Sequence, residues 1–378
     1  MSSQLIKITP SDPLFFRDGK PFTWGEETFA DGVFPPYPSV IYGAIRTAYA
    51  AHEGLAVEDI IPQSKDFRIS AIMMVCEEGM IQGTFLPLPL DWVEPKGKDL
   101  AELAEERKGK YSRFTPLIAY QGLSAIAGPA AASSLTSQES LLFAPSDLSQ
   151  EVETVSDGLM SLRQFKDYLG AQLTDEIRGR KISASLQEES KIGIGRENAT
   201  RTAAKGKLYR VPLNRTLGFS FLVKVEGLDM SKHPKGVLKL GGEGKTASYE
   251  LITDPRAVKK SIGISYSGSN TETSQGTKSF KVYVSSPAFF DKGYPDLQKH
   301  LGIEAELLGQ CVGKYLSIGG YDIEKNRPKA MRKAVPAGSI FVFESQTPIS
   351  FSDSSLQGIS LSDDRAEQGF GISYFAAL

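Results

Sequence analysis

The sequence predicts an α+β protein in which strands outnumber helices. Three observations carry that reading. Strand-like runs bounded by Gly, Pro and Asp recur along the chain, and only one long stretch has clear helical periodicity. The few helical segments are interspersed among the strands rather than gathered at one end. Such an order fits one mostly antiparallel sheet in each domain. At 378 residues the chain is long enough for two domains, or for one with large insertions.

The elements follow in order. "QLIKITP" opens as a strand. Residues 11–39, "SDPLFFRDGKPFTWGEETFADGVFPPYPS", are too rich in Pro, Gly and Asp for regular structure and too long for an idle connector. "SVIYGAIRTAYAAHEG" is the clearest helix, with Ser39 as its N-cap and Gly54 as its stop. Ile41, Ala44, Ile45 and Ala48 line the face that should meet a sheet, whereas Tyr42 and Arg46 share another. A hairpin is expected about Glu77–Gly79, then a helix in "LMSLRQFKDYLGAQ". The strands "KLYRVPL" and "GFSFLVKVEG" follow. Residues 122–140 and 265–279 read as loops or insertions. Beyond them come "SFKVYVSSPAF", a short helix "DLQKHLG", "KYLSIGGYD", "KAVPAGSIFVFES" and the tail "EQGFGISYFAAL".

Hydrophobic content of 40% and charged content of 23% are those of an ordinary soluble domain. The two cysteines, Cys76 and Cys311, point to a reducing compartment and to burial rather than chemistry. No secretory leader pattern and no membrane-length apolar run occurs, so a cytoplasmic protein is expected. His52, His233 and His300 are scattered, with no Cys, His or carboxylate at ligand spacing. No H-E-x-x-H, C-x-x-C or G-x-S-x-G is present. The expectation is a protein without catalytic site, metal or cofactor.

"VLKLGGEGKTASYE" imitates a phosphate-gripping P-loop. The pattern G-x-x-x-x-G-K-[ST] needs a glycine where Lys239 stands, and a helix where "ASYELIT" alternates like a strand. A hairpin turning at Gly241–Gly244 is the expected structure instead.

Charge is unevenly placed. Residues 178–215 hold ten Lys or Arg and three Glu, a net of +7 on a chain of net −2, so the remaining residues carry −9. Within this segment the cations are spaced by glycines and small residues, which let a backbone approach a ligand. A second basic cluster, "EKNRPKAMRKA", spans 324–334. Two such patches on an acidic protein point to a polyanion held through its phosphates.

Several segments together resemble a known family. "PLFFRDGKPF", "PYPSVIYGAIRTA", "IGIGR…TRTAAKGKLY", "LGGEGKTA" and "AVPAGSIFVFE" beside "GGYD" are similar to the RAMP superfamily of CRISPR effector proteins. More narrowly, they resemble the third subunit of the type III-B (Cmr) RNA-targeting complex. The resemblance implies two ferredoxin-like (RRM-like) domains with β-rich and loop insertions, over residues 1–230 and 231–378. It also implies a non-catalytic subunit at the 5′-handle end of the guide RNA (crRNA). There it would sit against the large polymerase-like subunit and a neighbouring RAMP backbone subunit. On that reading Arg196, Arg201, Lys205 and Lys207 contact phosphates, and Ser39, Tyr42 and Arg46 lie against the handle. Arg17 and Lys20 touch either RNA or the large subunit. Gly242, Gly244 and Lys245 meet sheet or RNA, with Lys245 neutralising a phosphate. Superfamily members that process guide RNA use a histidine as general acid or base, and His52 is the residue here that would serve a metal-independent ribonuclease.

Overall fold

Two antiparallel sheets organise the chain. The computed structural model describes residues 3–17, 32–77, 83–96, 112–121, 141–146, 149, 151–171, 176–197, 200, 202–253, 277–322, 327–350 and 356–378. The larger sheet has eleven strands. From one edge it runs Lys235–Lys239, Thr246–Ile252, Ser3–Pro10, Phe219–Glu226 and Arg68–Cys76, and six further strands continue it from Gly83–Pro87 to Val152–Thr154 at the other edge. The smaller sheet has five, in the order Ala305–Cys311, Ile340–Ile349, Thr277–Val284, Ile372–Ala377, Gln357–Ser360. The molecule is α+β and strongly β-rich.

Both faces of the smaller sheet are covered, which its sequence explains. Phe280, Val282, Val284, Phe341 and Phe343 point to one side, where the short helix Leu297–Leu301 packs. Tyr283, Ile340, Val342 and Tyr374 point to the other and join the core of the large sheet. Alternate residues of a strand face opposite ways, so runs such as "IFVF" are apolar throughout when both faces are buried. The aromatics of "FKVYV" are therefore core: Phe280 and Tyr283 are 0% exposed. The helix Leu162–Leu169 fills the gap between the sheets, with Phe165 tilted against Tyr283 and edge-on to Tyr374. A buried polar contact crosses the same gap. The carboxylate of Asp91 accepts from the Tyr168 hydroxyl and from the Lys281 ammonium, each at 2.9 Å.

The first helix, α1 (Pro38–His52), buries Ile41, Ala44, Ile45 and Ala48 as its spacing predicts. Gly54 follows its end with φ of 65°, the left-handed conformation a helix stop uses. The N-cap expectation needs correcting. Tyr37 occupies that position, Pro38 enters the first turn, and no side chain caps it. Proline's fixed φ is already helical, so the helix starts two residues early and Ser39 lies inside it.

The hairpin ending near Glu77 is present, pairing Met74 with Phe85 and Cys76 with Gly83. So is the glycine-turn hairpin, pairing Leu238 with Ala247. The expected division at residue 230 is not where sheet membership changes. Thr246–Ile252 pairs with Ser3–Pro10, so this hairpin extends the larger sheet and the change falls after Ile252. The segment 178–215 also differs from expectation. Leu186–Arg196 and Ala203–Thr216 form a long two-stranded ribbon rather than a loop.

Candidate nucleic-acid interface

Phe15 is where the candidate site comes together. Its ring packs with Val211 and Leu213 at the base of the ribbon. Its neighbour Leu14 exchanges backbone hydrogen bonds with Asn214, both at 2.8 Å. Its own carbonyl accepts the N–H of Gly242 in the glycine turn at 2.9 Å. The ribbon and turn are tied directly as well, by Lys191 and Glu243 at 2.7 Å. Three segments far apart in sequence, the N-terminal loop, the ribbon and the glycine turn, thus meet at one place.

The turn explains its own glycines. Gly241, Glu243 and Gly244 have φ of 85°, 59° and 66°. A β-carbon on Gly241 would lie 2.5 Å from the Phe15 carbonyl oxygen, so only glycine fits there. The N–H of Gly242 is spent on Phe15, and that of Lys245 returns to the Gly242 carbonyl. Thr246, which imitates the P-loop threonine, donates its hydroxyl and N–H to Asp12 at 2.8 and 3.0 Å. Those bonds, with the Lys245 and Arg215 charges, hold the Asp12 carboxyl below its usual range. A strand, not a helix, follows. The turn is a docking hairpin whose close backbone approach is to Phe15.

The ribbon's charges divide into two groups. Near its base they are already partnered. Arg180 is 3% exposed and donates to Ser185, Lys181 pairs with Glu94, and Arg215 pairs with Glu189. Arg210 donates to Ser190 through Nε and Nη2. The raw excess of +7 therefore overstates what a ligand meets at that end. Arg196, Lys205 and Lys207 lie toward the far end, where Arg196 is paired with Ala203 across a bulge. Arg201 and Lys20 lie outside the described residues. Arg17 is exposed at a bridge to Gly32, on the loop that crosses the ribbon base. Lys245 is half-buried.

α1 contributes a second group. Tyr42 is only 6% exposed; it stacks on Phe67 at 4.3 Å and donates its hydroxyl to the Phe67 carbonyl. The expected surface tyrosine is thus a core residue. Arg46 lies over its outer ring face, 5.1 Å from the centroid, and is half-buried. Burial pushes the Tyr42 phenol up, while Arg46 opposes that shift. What α1 presents is Arg46 on an aromatic base, and an N-terminus with no acidic residue in its first turn.

One cluster escaped the sequence reading. His52 Nε2 lies 2.8 Å from the Tyr249 hydroxyl, and its ring stacks on His233 at 4.5 Å. Glu53 Oε1 is 3.8 Å from His233 Nε2. Tyr249 also donates to the His233 carbonyl at 3.2 Å. Nothing local signals this meeting, because it depends on the glycine-turn hairpin folding back beside α1. Among the described residues, no group of three or more His, Cys, Asp or Glu is placed to hold a metal ion, and no helix is long and apolar enough to cross a membrane.

Comparison with known proteins places this chain in a family. No curated protein matches the chain. Among solved structures, a chain of the cryo-EM structure of the Type III-B Cmr-beta bound to cognate target RNA is 15% identical, with a TM-score of 0.45, over 91% of this chain and 86% of that one. A chain of the same assembly bound to cognate target RNA and AMPPnP, state 1, is 14% identical at the same TM-score, over 89% and 86%. The family model of CRISPR-associated proteins termed Cas_Cmr3 matches residues 6–369, nearly the whole length, and the chain belongs to that family.

Proposed function

We infer that this chain is a non-catalytic, guide-RNA-binding subunit of a type III-B CRISPR effector complex. In this reading it holds the 5′-handle end of the crRNA and docks the large polymerase-like subunit and a neighbouring RAMP subunit in the cytoplasm. Its two sheets are read as two ferredoxin-like (RRM-like) domains bearing the ribbon and other insertions. The observation that carries the proposal is the meeting at Phe15. It fixes the base of a basic ribbon and sets Arg17 and Lys245 beside it.

Cations spaced along a ribbon bind phosphates rather than sequence. Arg196, Arg201, Lys205 and Lys207 take phosphates at the ribbon's far end, and Lys245 neutralises one near its base. Gly242 and Gly244 act by shaping the turn. At α1, Arg46 and the uncapped turn holding Ser39 meet the handle, and Tyr42 supports Arg46 from beneath. Arg17 and Lys20 face RNA or the large subunit. The test replaces Arg196, Arg201, Lys205 and Lys207 with Ala in the assembled complex. Affinity for handle and unrelated RNA should fall alike, and the salt dependence should flatten by roughly 0.7 for each single-strand phosphate that the variant leaves unneutralised. Wild-type affinity and slope in that variant would remove the ribbon from the site.

A second reading, metal-independent RNA cleavage, draws support from the His52–His233–Tyr249 cluster. Two imidazoles and a phenol are groups capable of acid–base chemistry on a ribose hydroxyl. The cluster is also well explained as packing, since the His52 nitrogen is engaged by Tyr249. The purified chain is expected to leave repeat RNA intact in the presence of chelator. Cleavage at one position that drops about a hundredfold or more with His52→Ala would install the second reading.

A further inference from the structure

The second basic cluster has a structural setting that the proposed RNA site does not use. Leu316–Ile318 pairs with Arg332–Ala334, and Tyr321–Asp322 with Arg327–Pro328, making a two-stranded arm. Its inner side is anchored. Ile318 and Ala334, each 1% exposed, pack with Phe289 and Phe370, and Tyr37 at the start of α1 packs against the same cluster. Arg332 lies over the Phe289 ring and pairs with Asp291 and Asp364 at 2.8 and 3.1 Å. Arg365 lies over that ring too and donates to the Gly319 carbonyl at 2.6 Å. Two guanidiniums on one phenyl ring hold the arm firmly on the body.

The outer side has a different composition. Cross-strand partners share a face, so the Ser317–Lys333 pair points opposite to Ile318. Tyr315, just ahead of the strand, is 50% exposed, with its hydroxyl 3.7 Å from where a β-carbon on Gly293 would stand. Tyr321, 55% exposed, stands opposite Pro328 on the outer ribbon. Met331, 45% exposed, lies across Gly319, where a β-carbon would come 2.6 Å from its sulfur. Around these apolar groups stand Lys314, Arg327, Lys329 and Lys333, which make no ion pair among the described residues. Residues 314–334 hold six Lys or Arg against Asp322 and Glu324, a net of +4 on a chain of net −2.

We propose that the outer side of this arm binds an unpaired stretch of RNA, with bases stacked on Tyr315 and Tyr321 and phosphates on Lys329, Lys333 and Arg327. Aromatic rings interleaved with cations suit single strands, because every base has a stacking face and every nucleotide a phosphate. A protein partner suited to this charge would need to be acidic and would have no need of two ring faces presented among lysines. The seven residues from Tyr315 to Tyr321 span at most about 20 Å, enough for two or three nucleotides. The proposal rests on the RNA-binding reading above, but adds a mode that the ribbon lacks: recognition of bases as rings.

Two single-stranded probes of equal length separate the modes, one an ordinary octameric RNA and the other an abasic phosphodiester. The full chain should bind the base-bearing probe about tenfold or more tighter, the effect expected of one stacked base. Tyr315→Ala with Tyr321→Ala should abolish that preference and leave the salt slope unchanged, while Tyr→Phe at both sites should retain it. Lys329→Ala with Lys333→Ala should weaken both probes alike and lower the salt slope by about 1.4. A tyrosine variant that keeps the wild-type preference overturns the proposal. So does one that keeps its RNA but loses a protein subunit on co-purification, which would make the arm a protein interface. The ribbon substitutions distinguish the two levels: if they leave RNA binding untouched the underlying reading fails, whereas failure confined to the tyrosines removes the arm alone. A wild-type chain with no RNA affinity overturns both.

Discussion

The carbonyl oxygen of Phe15 accepts the N–H of Gly242 at 2.9 Å and lies 2.5 Å from where a side chain on Gly241 would begin. One oxygen therefore fixes both the position and the composition of the glycine turn. Gly241→Ala would bring a methyl into that oxygen and also strain a φ of 85°. Gly244→Ala meets only the second cost, since nothing lies within 4 Å of its β-carbon position. Left-handed backbone costs a non-glycine residue about 1–2 kcal/mol. Urea denaturation should show a loss in that range for Gly244→Ala and a clearly larger one for Gly241→Ala. Equal losses would mean that the Phe15 contact does not hold the turn.

Arg46 allows a functional substitution with little structural consequence. Its guanidinium rests on the outside of Tyr42, and the core face of α1 lies elsewhere. Removing a half-exposed cation–π interaction costs roughly 0.5–1 kcal/mol. Arg46→Glu should therefore fold, with a modest drop in melting temperature, and the assembled complex should lose guide RNA. Arg46→Gln, which removes the charge without reversing it, should lose less. A normal guide load in both variants would take α1 out of the proposed site.

Acid stability should depend on Asp363, whose side chain is 3% exposed. Burial alone would raise its pKa, but Lys299, the Asp291 N–H and His300 outweigh that and hold it below the usual carboxylate range. A carboxylate whose pKa falls on folding stabilises the protein above its unfolded value, near 4, and that contribution disappears as pH drops through the folded value. Asp363→Asn should lower the urea midpoint at pH 7 and make its decline below about pH 4 shallower. Parallel pH profiles for the two proteins would show that the ionised carboxylate contributes nothing.

The sequence revealed elements whose signals are local. The face Ile41, Ala44, Ile45 and Ala48 follows from helical spacing, and both hairpins follow from their turn residues. Misreadings arose where the deciding contact was distant. Tyr42 reads as a surface residue beside Arg46 until Phe67 stacks on it. The ribbon reads as a loop because Gly193 and Gly195 suggest one. Its apolar alternation is weak where both faces meet solvent, as the exposure of Ile192 (67%) and Ile194 (55%) shows. Its excess positive charge also conceals the base-end pairs that consume Arg180, Lys181 and Arg215. Pairing of Thr246–Ile252 with Ser3–Pro10 leaves no trace in either strand alone.

The contact of Asp91 with Tyr168 and Lys281 carries one more implication. It joins the larger sheet, the intervening helix and the smaller sheet inside a shared apolar core, so neither sheet has a complete interior without the other. A single protease cut between Ile252 and Thr277 would then leave two fragments that copurify under native conditions and melt in one transition. Expressed alone, the C-terminal fragment would expose the Tyr283–Tyr374 face to water and the N-terminal fragment the core residues packed against it, and both would be prone to aggregate. For this chain the expected unit of folding is the pair of sheets, not either one.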